Sequence, residues 1–471
     1  MMFTLYDYQQ EALDSAVDNI NKSLDDARGR FVMPTGAGKT LVESQVLDWQ
    51  FNNNSKSGIH LVLAPRIMLG NQLLSEYKGF LGKEAFCAIA FHSGEHIAED
   101  GIKWKEEATT QKHKVEEAYA NAQKLGQQLV VFSTYHSCGK LEGLDFDTII
   151  ADEAQYCVAE NFNESFRNLT GRVRITFTAT ERHTASDSGY GLNNVDIYGE
   201  RWYYISPDEL IQKGRIVPPR LHIAHIETPD DSKSIVSQVI EIAREQTVLT
   251  KETLDFSKVL FAMNGTDDVK SIEDNVKKLR NEFPDHDVFT ITSRNGAIVN
   301  GVSVKRKEFM ERLRNCTNAL IFHYDILSEG IDVDGITGVA IMRNMSLSKL
   351  LQTIGRAVRL YKPDPSKKPQ AWISVPVVNG NEDDMSRIAF IIRTLRNGGF
   401  DISKEDVYET KGERHEKDDE DMDDAFDTKN KFGKFFDIEQ ILHEIEDDEF
   451  WIRVQETKST KDKIDMFFEE A

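Results

Sequence analysis

The sequence predicts an α/β protein made of two successive domains, each a parallel sheet covered by helices on both faces. Short, nearly continuous apolar runs (Phe31 to Met33, Ile59 to Ala64, Phe86 to Phe91, Leu129 to Phe132, Thr148 to Ala151, Val173 to Phe177) alternate with helical stretches. Strands buried on both faces read in this way. A second series follows Arg220: Leu221 to Ile226, Val259 to Met263, Val288 to Ile291, Ala319 to Phe322, Val339 to Met342 and Ala371 to Val377. Between the two, Ser206-Pro207-Asp208-Glu209 is a helix-start signal and Lys213-Gly214-Arg215 leads to the stop Pro218-Pro219.

Leu5, Tyr8, Ala12, Ala16, Ile20 and Leu24 recur at three- and four-residue spacing, which predicts an amphipathic helix ahead of the first strand. The first domain then covers residues 1–205, the connector 206–219 and the second domain 220–400. Within the first, residues 95–128 form a charged helical stretch with one tryptophan, Trp104, read as a surface insertion. Beyond Asp401 the sheet pattern ends in an acidic extension, 401–471, whose run 416–427 would be disordered alone. Phe435, Phe436, Ile438, Ile441, Leu442 and Ile445 restore a helical stripe after it, a segment suited to docking on the body or on a protein partner.

With 471 residues, 40% of them hydrophobic, the chain can bury large cores, which excludes wholesale disorder. No stretch approaches the roughly 20 apolar residues that span a bilayer, and the opening residues lack a signal-peptide pattern, so a soluble cytoplasmic protein is expected, in the host cytoplasm if viral. Cys87, Cys138, Cys157 and Cys316 form no C-x-x-C pair, which argues against a disulfide framework or structural zinc. The net charge is 22 negative, but 21 acidic against 9 basic residues lie between Gly412 and Ala471, more than half of the imbalance. An acidic total lowers the expectation of nucleic-acid binding, which nevertheless depends on local basic surface.

Met33-Pro34-Thr35-Gly36-Ala37-Gly38-Lys39-Thr40 follows a strand and precedes a helical pattern, the setting of a phosphate-binding loop. Small residues let backbone N–H groups close around phosphates at the helix N-terminus, Lys39 reaches the β and γ oxygens, and Thr40 offers its hydroxyl to Mg²⁺. The strict pattern has Gly where Met33 stands. Asp152 and Glu153 follow the apolar run Ile149-Ile150-Ala151. Such a pair also serves as a helix N-cap, but beside Lys39 it reads as a catalytic site. Asp152 would hold the magnesium shell and Glu153 would orient and deprotonate the attacking water, with the two side chains expected on opposite sides of the strand. Gln352-Thr353-Ile354-Gly355-Arg356-Ala357-Val358-Arg359 places two arginines three apart, expected on one helical face, where guanidinium groups can stabilise a phosphoryl transition state.

Taken together and in order, these motifs resemble those of superfamily 2 helicases, motors with two RecA-like domains and ATP bound in the interdomain cleft, over about 400 residues. Tyr8-Gln9 resembles the adenine-reading Q-motif, Pro65-Arg66 motif Ia, Thr134-Tyr135 motif Ib, Thr178-Ala179-Thr180 the coupling motif III, and Ser328-Glu329-Gly330-Ile331-Asp332 motif V. The resemblance implies nucleotide binding by Gln9, Thr35, Gly36, Gly38, Lys39, Thr40, Gly330 and Asp332. It implies catalysis by Lys39, Asp152, Glu153, Gln352, Arg356 and Arg359, and metal binding by Thr40 and Asp152. Nucleic-acid contacts fall to Pro65, Arg66, Thr134, Tyr135 and Ser328, and coupling to Thr178 and Thr180. ATP and Mg²⁺ are the implied cofactors.

The form Asp-Glu-Ala-Gln, the connector ending Gly214 to Pro219 and the Gln-Thr-Ile-Gly-Arg-x-x-Arg motif resemble the DNA-directed group: type III restriction motors, XPB-like and RadD-like helicases, and the UvsW-type branch-migration helicases of phages. The implied activity is ATP-dependent movement on, or remodelling of, single-stranded or branched DNA. The phosphate loop begins about thirty residues into the sequence, so the substrate-reading part is expected in the 95–128 stretch or the tail. Two other classes stay open. One is an RNA helicase; the other is a non-unwinding motor or ATP switch of a restriction or defence complex. No nuclease motif is evident, so on the latter reading cleavage belongs to a partner.

Overall fold

The computed structural model of the chain describes residues 4–23, 26–53, 57–93, 108–183, 189–226, 234–251, 254–292, 294–324, 333, 335–377 and 382–410. These fall into two compact units, meeting in sequence between Ile205 and Ser206. No described helix is long and apolar enough to cross a membrane.

The first unit runs α1 (Asp7–Lys22), β1 (Ala27–Val32), α2 (Lys39–Asn53), β2 (Ile59–Ala64), α3 (Ile67–Leu81), β3 (Cys87–Phe91), α4 (Lys112–Leu125), β4 (Leu129–Thr134), β5 (Asp145–Ala151), α5 (Glu160–Arg167), β6 (Thr170–Thr178), α6 (Val195–Tyr198) and β7 (Glu200–Tyr204). Its seven strands are all parallel, in the order β3-β4-β2-β5-β6-β1-β7. The central strands β2 and β4 are buried at every position, which is why they read as unbroken apolar runs. The edge strand β7 is half-exposed and carries Arg201 and Trp202, so it lacks that signature.

One expectation is corrected. Parallel neighbours need a crossover, and α4 is the crossover between β3 and β4, with Val115 and Ala122 in the core. Residues 112–125 are therefore part of the sheet's cover rather than a surface insertion. Trp104 lies outside the described residues.

The second unit runs α7 (Pro207–Gln212), β8 (Pro219–His225), α8 (Ile235–Lys251), β9 (Lys258–Ala262), α9 (Thr266–Asp274), α10 (Val276–Glu282), β10 (Asp287–Thr292), β11 (Gly296–Val299), β12 (Val302–Val304), α11 (Arg306–Asn315), β13 (Ala319–His323), β14 (Gly338–Ile341), α12 (Leu347–Ala357), β15 (Ala371–Val377), α13 (Glu382–Asn397) and β16 (Val407–Thr410). The nine-stranded sheet has the order β12-β11-β10-β13-β9-β14-β15-β8-β16 and is parallel except for the β10-β11-β12 hairpins. The start of α7 is a capping box: Ser206 Oγ accepts the Glu209 N–H and Glu209 accepts the Ser206 N–H. The sheet also continues past Asp401, contrary to the sequence reading, because β16 adds in parallel to β8. At four residues, half of them polar, it is too short to announce itself by periodicity. The acidic extension beyond 410 lies outside the described residues.

A buried ion pair fastens β1 to the segment that follows β6. Arg30 Nη1 lies 2.6 Å from Glu181 Oε1, and its Nε donates to the Gly199 carbonyl at 3.1 Å. Burial alone would raise the Glu181 carboxyl, but the neighbouring His183, Arg30 and Arg201 outweigh it and hold it below its usual range. Next to this pair Gly29 makes room for Trp202, since a Cβ there would lie 2.0 Å from the indole ring. Glu181→Ala strands a buried guanidinium, so it is expected to destabilise the first unit by about 3 kcal/mol in denaturant melts.

Candidate functional site: a phosphate loop and its carboxylates

The register of three strands brings the first unit's motifs to one edge. Val32 of β1 lies opposite Thr178 of β6, and Ala151 of β5 opposite Thr176. The loop after β1, the carboxylates after β5 and Thr178 thus all emerge at the carboxyl ends of adjacent strands, where α/β sheets bind ligands. Met33 continues the pairing by donating its N–H to the Thr178 carbonyl at 2.9 Å.

Two glycines shape the loop, Gly36 (φ 92°) and Gly38 (φ 79°), both in backbone conformations that a Cβ disfavours. At Gly38 a Cβ would also lie 2.4 Å from Gln9 Nε2. The Ala37 carbonyl accepts from Tyr8 Oη at 2.9 Å and from Gln9 Nε2 at 3.0 Å, and Gln9 Oε1 accepts the Tyr6 N–H at 3.0 Å. Gln9, buried, braces the loop from behind. Lys39 opens α2 with Thr40 in its first turn, and Thr35 precedes the glycines. Lys39 Nζ lies 3.5 Å from the Met33 carbonyl and 3.8 Å from Glu153 Oε1.

Asp152 and Glu153 lie just past the end of β5, so the expected placement on opposite sides of the strand is corrected. The Asp152 N–H donates to the Leu63 carbonyl at 3.0 Å, while Asp152 Oδ1 accepts the Glu153 N–H at 2.8 Å. Glu153 takes a left-handed conformation (φ 50°), which costs a non-glycine residue about 1 kcal/mol. Burial, then the Glu153 charge, pushes the Asp152 carboxyl up to about 7, with Lys39 and the Glu153 N–H acting the other way. Glu43 on α2, a residue the motifs did not single out, is fully buried behind them. Its carboxyl is raised well above the usual range by burial and then by Asp152.

A hydrogen-bonded chain leads from this group to motif III. Gln155 Nε2 donates to Glu153 Oε2 at 2.8 Å, Gln155 Oε1 lies 2.7 Å from Thr178 Oγ1, and Thr178 Oγ1 accepts the Thr180 N–H at 3.1 Å. Gln155 is the link that motif reading passed over; its presence in Asp-Glu-Ala-Gln was the available signal. Asp152 and the Thr40 hydroxyl are hard oxygen donors of the kind that suits Mg²⁺, although among the described residues no three His, Cys, Asp or Glu side chains cluster as a ready-made metal site.

The expected nucleic-acid contacts are only partly presented. Arg66, the N-cap of α3, is exposed, but Pro65 and Thr134 are buried. Tyr135 is a correction: its ring belongs to the core and its hydroxyl donates to the Asp152 carbonyl at 2.6 Å, which removes it as a stacking surface. Phe91 is likewise core. Ser328, Gly330 and Asp332 lie outside the described residues.

In the second unit Gln352 and Arg356 share one face of α12. Arg359 does not, because the helix stops at Ala357 and Arg359 bridges in antiparallel fashion to Ile216 of the connector. The carbonyls at the end of this helix are individually satisfied. The Val217 N–H donates to Val358 O at 2.8 Å, and buried Lys368 Nζ donates to Ala357 O and, at 2.6 Å, to Arg359 O. A cation at a helix C-terminus also opposes the helix dipole favourably. Lys368 was invisible to motif reading because nothing in its loop sequence marks it.

Two outcomes follow. Asp152 holds its proton more tightly folded than unfolded, so ligand-free protein should lose stability as pH rises from about 4 toward about 7 and change little above. Asp152→Asn should reduce that slope in thermal melts across pH. Lys368→Met, which leaves one buried and one part-buried carbonyl short of a donor, should cost the second unit about 2 kcal/mol in denaturant titrations.

Residues 2–183 match the family described as the type III restriction enzyme res subunit. No curated protein matches the chain. Among solved structures, an ATP-dependent Type ISP restriction-modification enzyme, LlaBIII, bound to DNA is similar at TM-score 0.66 and 18% identity over 84% of this chain and 30% of that one. A nuclease-deletion mutant of the Type ISP enzyme LlaGI in complex with a DNA substrate mimic is similar at TM-score 0.59 and 20% identity, over 84% and 29%. A fragment of a putative HsdR subunit of a type I restriction enzyme from Vibrio vulnificus YJ016 follows at TM-score 0.50 and 21% identity, over 78% and 63%. The chain thus spans about 30% of the length of the two Type ISP enzymes. Residues 2–183 thus resemble the res-subunit family, and the chain shares the fold of these restriction-enzyme structures.

Proposed function

We propose that the chain is an ATP-driven DNA translocase that remodels single-stranded or branched DNA such as a fork, a junction or an R-loop. The observation that carries this reading is the continuous chain Lys39, Glu153, Gln155, Thr178, Thr180, which connects a phosphate loop to a hydrolytic carboxylate and a coupling segment. Lys39 binds the β and γ oxygens, and Thr40 and Asp152 would hold Mg²⁺, which would supply charge neutralisation on the phosphates. Glu153, whose Oε1 lies 3.8 Å from Lys39 Nζ, orients the attacking water and takes its proton. Thr35, Gly36 and Gly38 shape the cradle, and Gln9 links the base-binding side to it. As the helicase resemblance implies, Gln352, Arg356 and Arg359 are assigned to stabilising the spreading charge of the transition state, and Gly330 and Asp332, outside the described residues, to nucleotide binding. Arg66 and Ser328 grip the DNA backbone, which makes binding independent of sequence and weaker in salt.

The comparisons favour a second form of the same reading, the motor portion of a restriction-type assembly that translocates without separating strands. The DNA-bound state of the Type ISP enzymes supports DNA over RNA as the track.

Steady-state ATP hydrolysis by wild type, Lys39→Ala and Arg356→Ala, each alone and with single-stranded DNA, branched DNA, duplex DNA or RNA, tests the proposal. DNA should stimulate the wild type, Lys39→Ala should abolish turnover, and Arg356→Ala should keep nucleotide binding while losing roughly a thousandfold in rate. Displacement of a third strand from duplex DNA without unwinding would select the restriction-type motor, and fork unwinding the remodelling helicase. Stimulation by RNA alone, or by no nucleic acid, would overturn the DNA reading.

A further inference from the structure

Glu43 stands on α2 one turn beyond Lys39, a position its neighbours Val42, Val46 and Leu47 fill with apolar side chains. It is wholly buried. Its Oε2 accepts a hydrogen bond from the Tyr77 hydroxyl at 3.0 Å, and its Oε1 has no hydrogen-bond partner among the described residues. A buried carboxyl oxygen left in this state opposes folding, and a leucine would suit the helix better. The position therefore carries a group that stability alone does not favour. Tyr77, also fully buried, lies on α3 and packs edge-on against Phe132 of β4 at 5.5 Å between ring centroids.

The two helices joined by this bond lead to different sites. α2 begins at Lys39 in the phosphate loop, whereas α3 begins immediately after its N-cap Arg66, the exposed basic residue on the expected nucleic-acid side. A hydrogen bond between side chains deep in the packing of two rigid helices transmits a shift of one to the other, because a close-packed interior does not absorb displacement. Its carboxyl end also interacts electrostatically with Asp152, Lys39 and Glu153.

We propose that the Glu43–Tyr77 hydrogen bond couples nucleic-acid contact at the head of α3 to the phosphate loop at the head of α2, with Glu43 as a positioning residue for Lys39 and Asp152. The inference rests on the reading of the chain as a DNA-stimulated ATPase and adds the element through which stimulation passes within the first unit.

The test measures ATP turnover of the full chain with and without saturating single-stranded DNA for wild type, Tyr77→Phe, Glu43→Gln, Glu43→Leu and the Tyr77→Phe/Glu43→Leu double variant. A fluorescent ATP analogue reports nucleotide binding and thermal melts report folding. Tyr77→Phe should keep nucleotide binding and DNA-free turnover within about twofold while losing most of the DNA stimulation, about tenfold. Glu43→Gln, which keeps an acceptor for the tyrosine hydroxyl, should retain the stimulation, and the double variant should be no worse than Glu43→Leu alone. Stimulation of Tyr77→Phe equal to wild type, or an equal fall in its DNA-free and DNA-stimulated rates, would overturn the coupling while leaving the motor reading intact. Absence of DNA stimulation in the wild type would overturn both. Glu43→Gln and Tyr77→Phe each alter a single polar group, so they decide the matter if Glu43→Leu does not fold.

Discussion

The parallel pairing of β1 with β6, extended by the hydrogen bond from Met33 N–H to the Thr178 carbonyl, is the constraint on which the first unit's site depends. It puts the end of the phosphate loop's strand level with the start of the coupling segment. β5, paired on the other side of β6, then delivers Asp152 and Glu153 to the same edge. No side-chain interaction could assemble these groups without that register, since a slip of one residue would turn each side chain to the opposite face.

The site so assembled is electrostatically unbalanced. Asp152, Glu153 and buried Glu43 surround a single lysine, and Asp152 titrates near neutrality because burial and like charge both favour its proton. On the proposed function, a cation held by Thr40 and Asp152 would supply the positive charge that this group lacks. The left-handed backbone at Glu153 fits the same account, as local strain held by the surrounding hydrogen bonds of Asp152, Gln155 and Thr178.

The second unit treats its arginine segment with similar economy. α12 ends where the connector and the β15 approach loop both reach it, so Val217 and Lys368 satisfy the terminal carbonyls and fix the backbone that carries Arg356 and Arg359. A buried ammonium is a stiffer anchor for this backbone than a solvated turn. In the first unit, Gln155 has a similar part, joining Glu153 to Thr178.

The sequence by itself determined the α/β class, the alternation of strands and helices, the phosphate loop and the carboxylate pair, because these depend on local patterns: unbroken apolar runs, a glycine-rich turn between strand and helix, charge at a strand's end. The connector's capping box was legible for the same reason. Weak or edge elements were not, since β7, β16 and the β11-β12 hairpin are half-exposed or short and owe their existence to a neighbour already in place. Tertiary structure alone decided that Tyr135 is core, that α4 is a crossover and that Arg359 leaves its helix. It alone brought Glu43 to Tyr77 and Lys368 to the end of α12, contacts between residues 34 and 11 positions apart that no spacing rule connects.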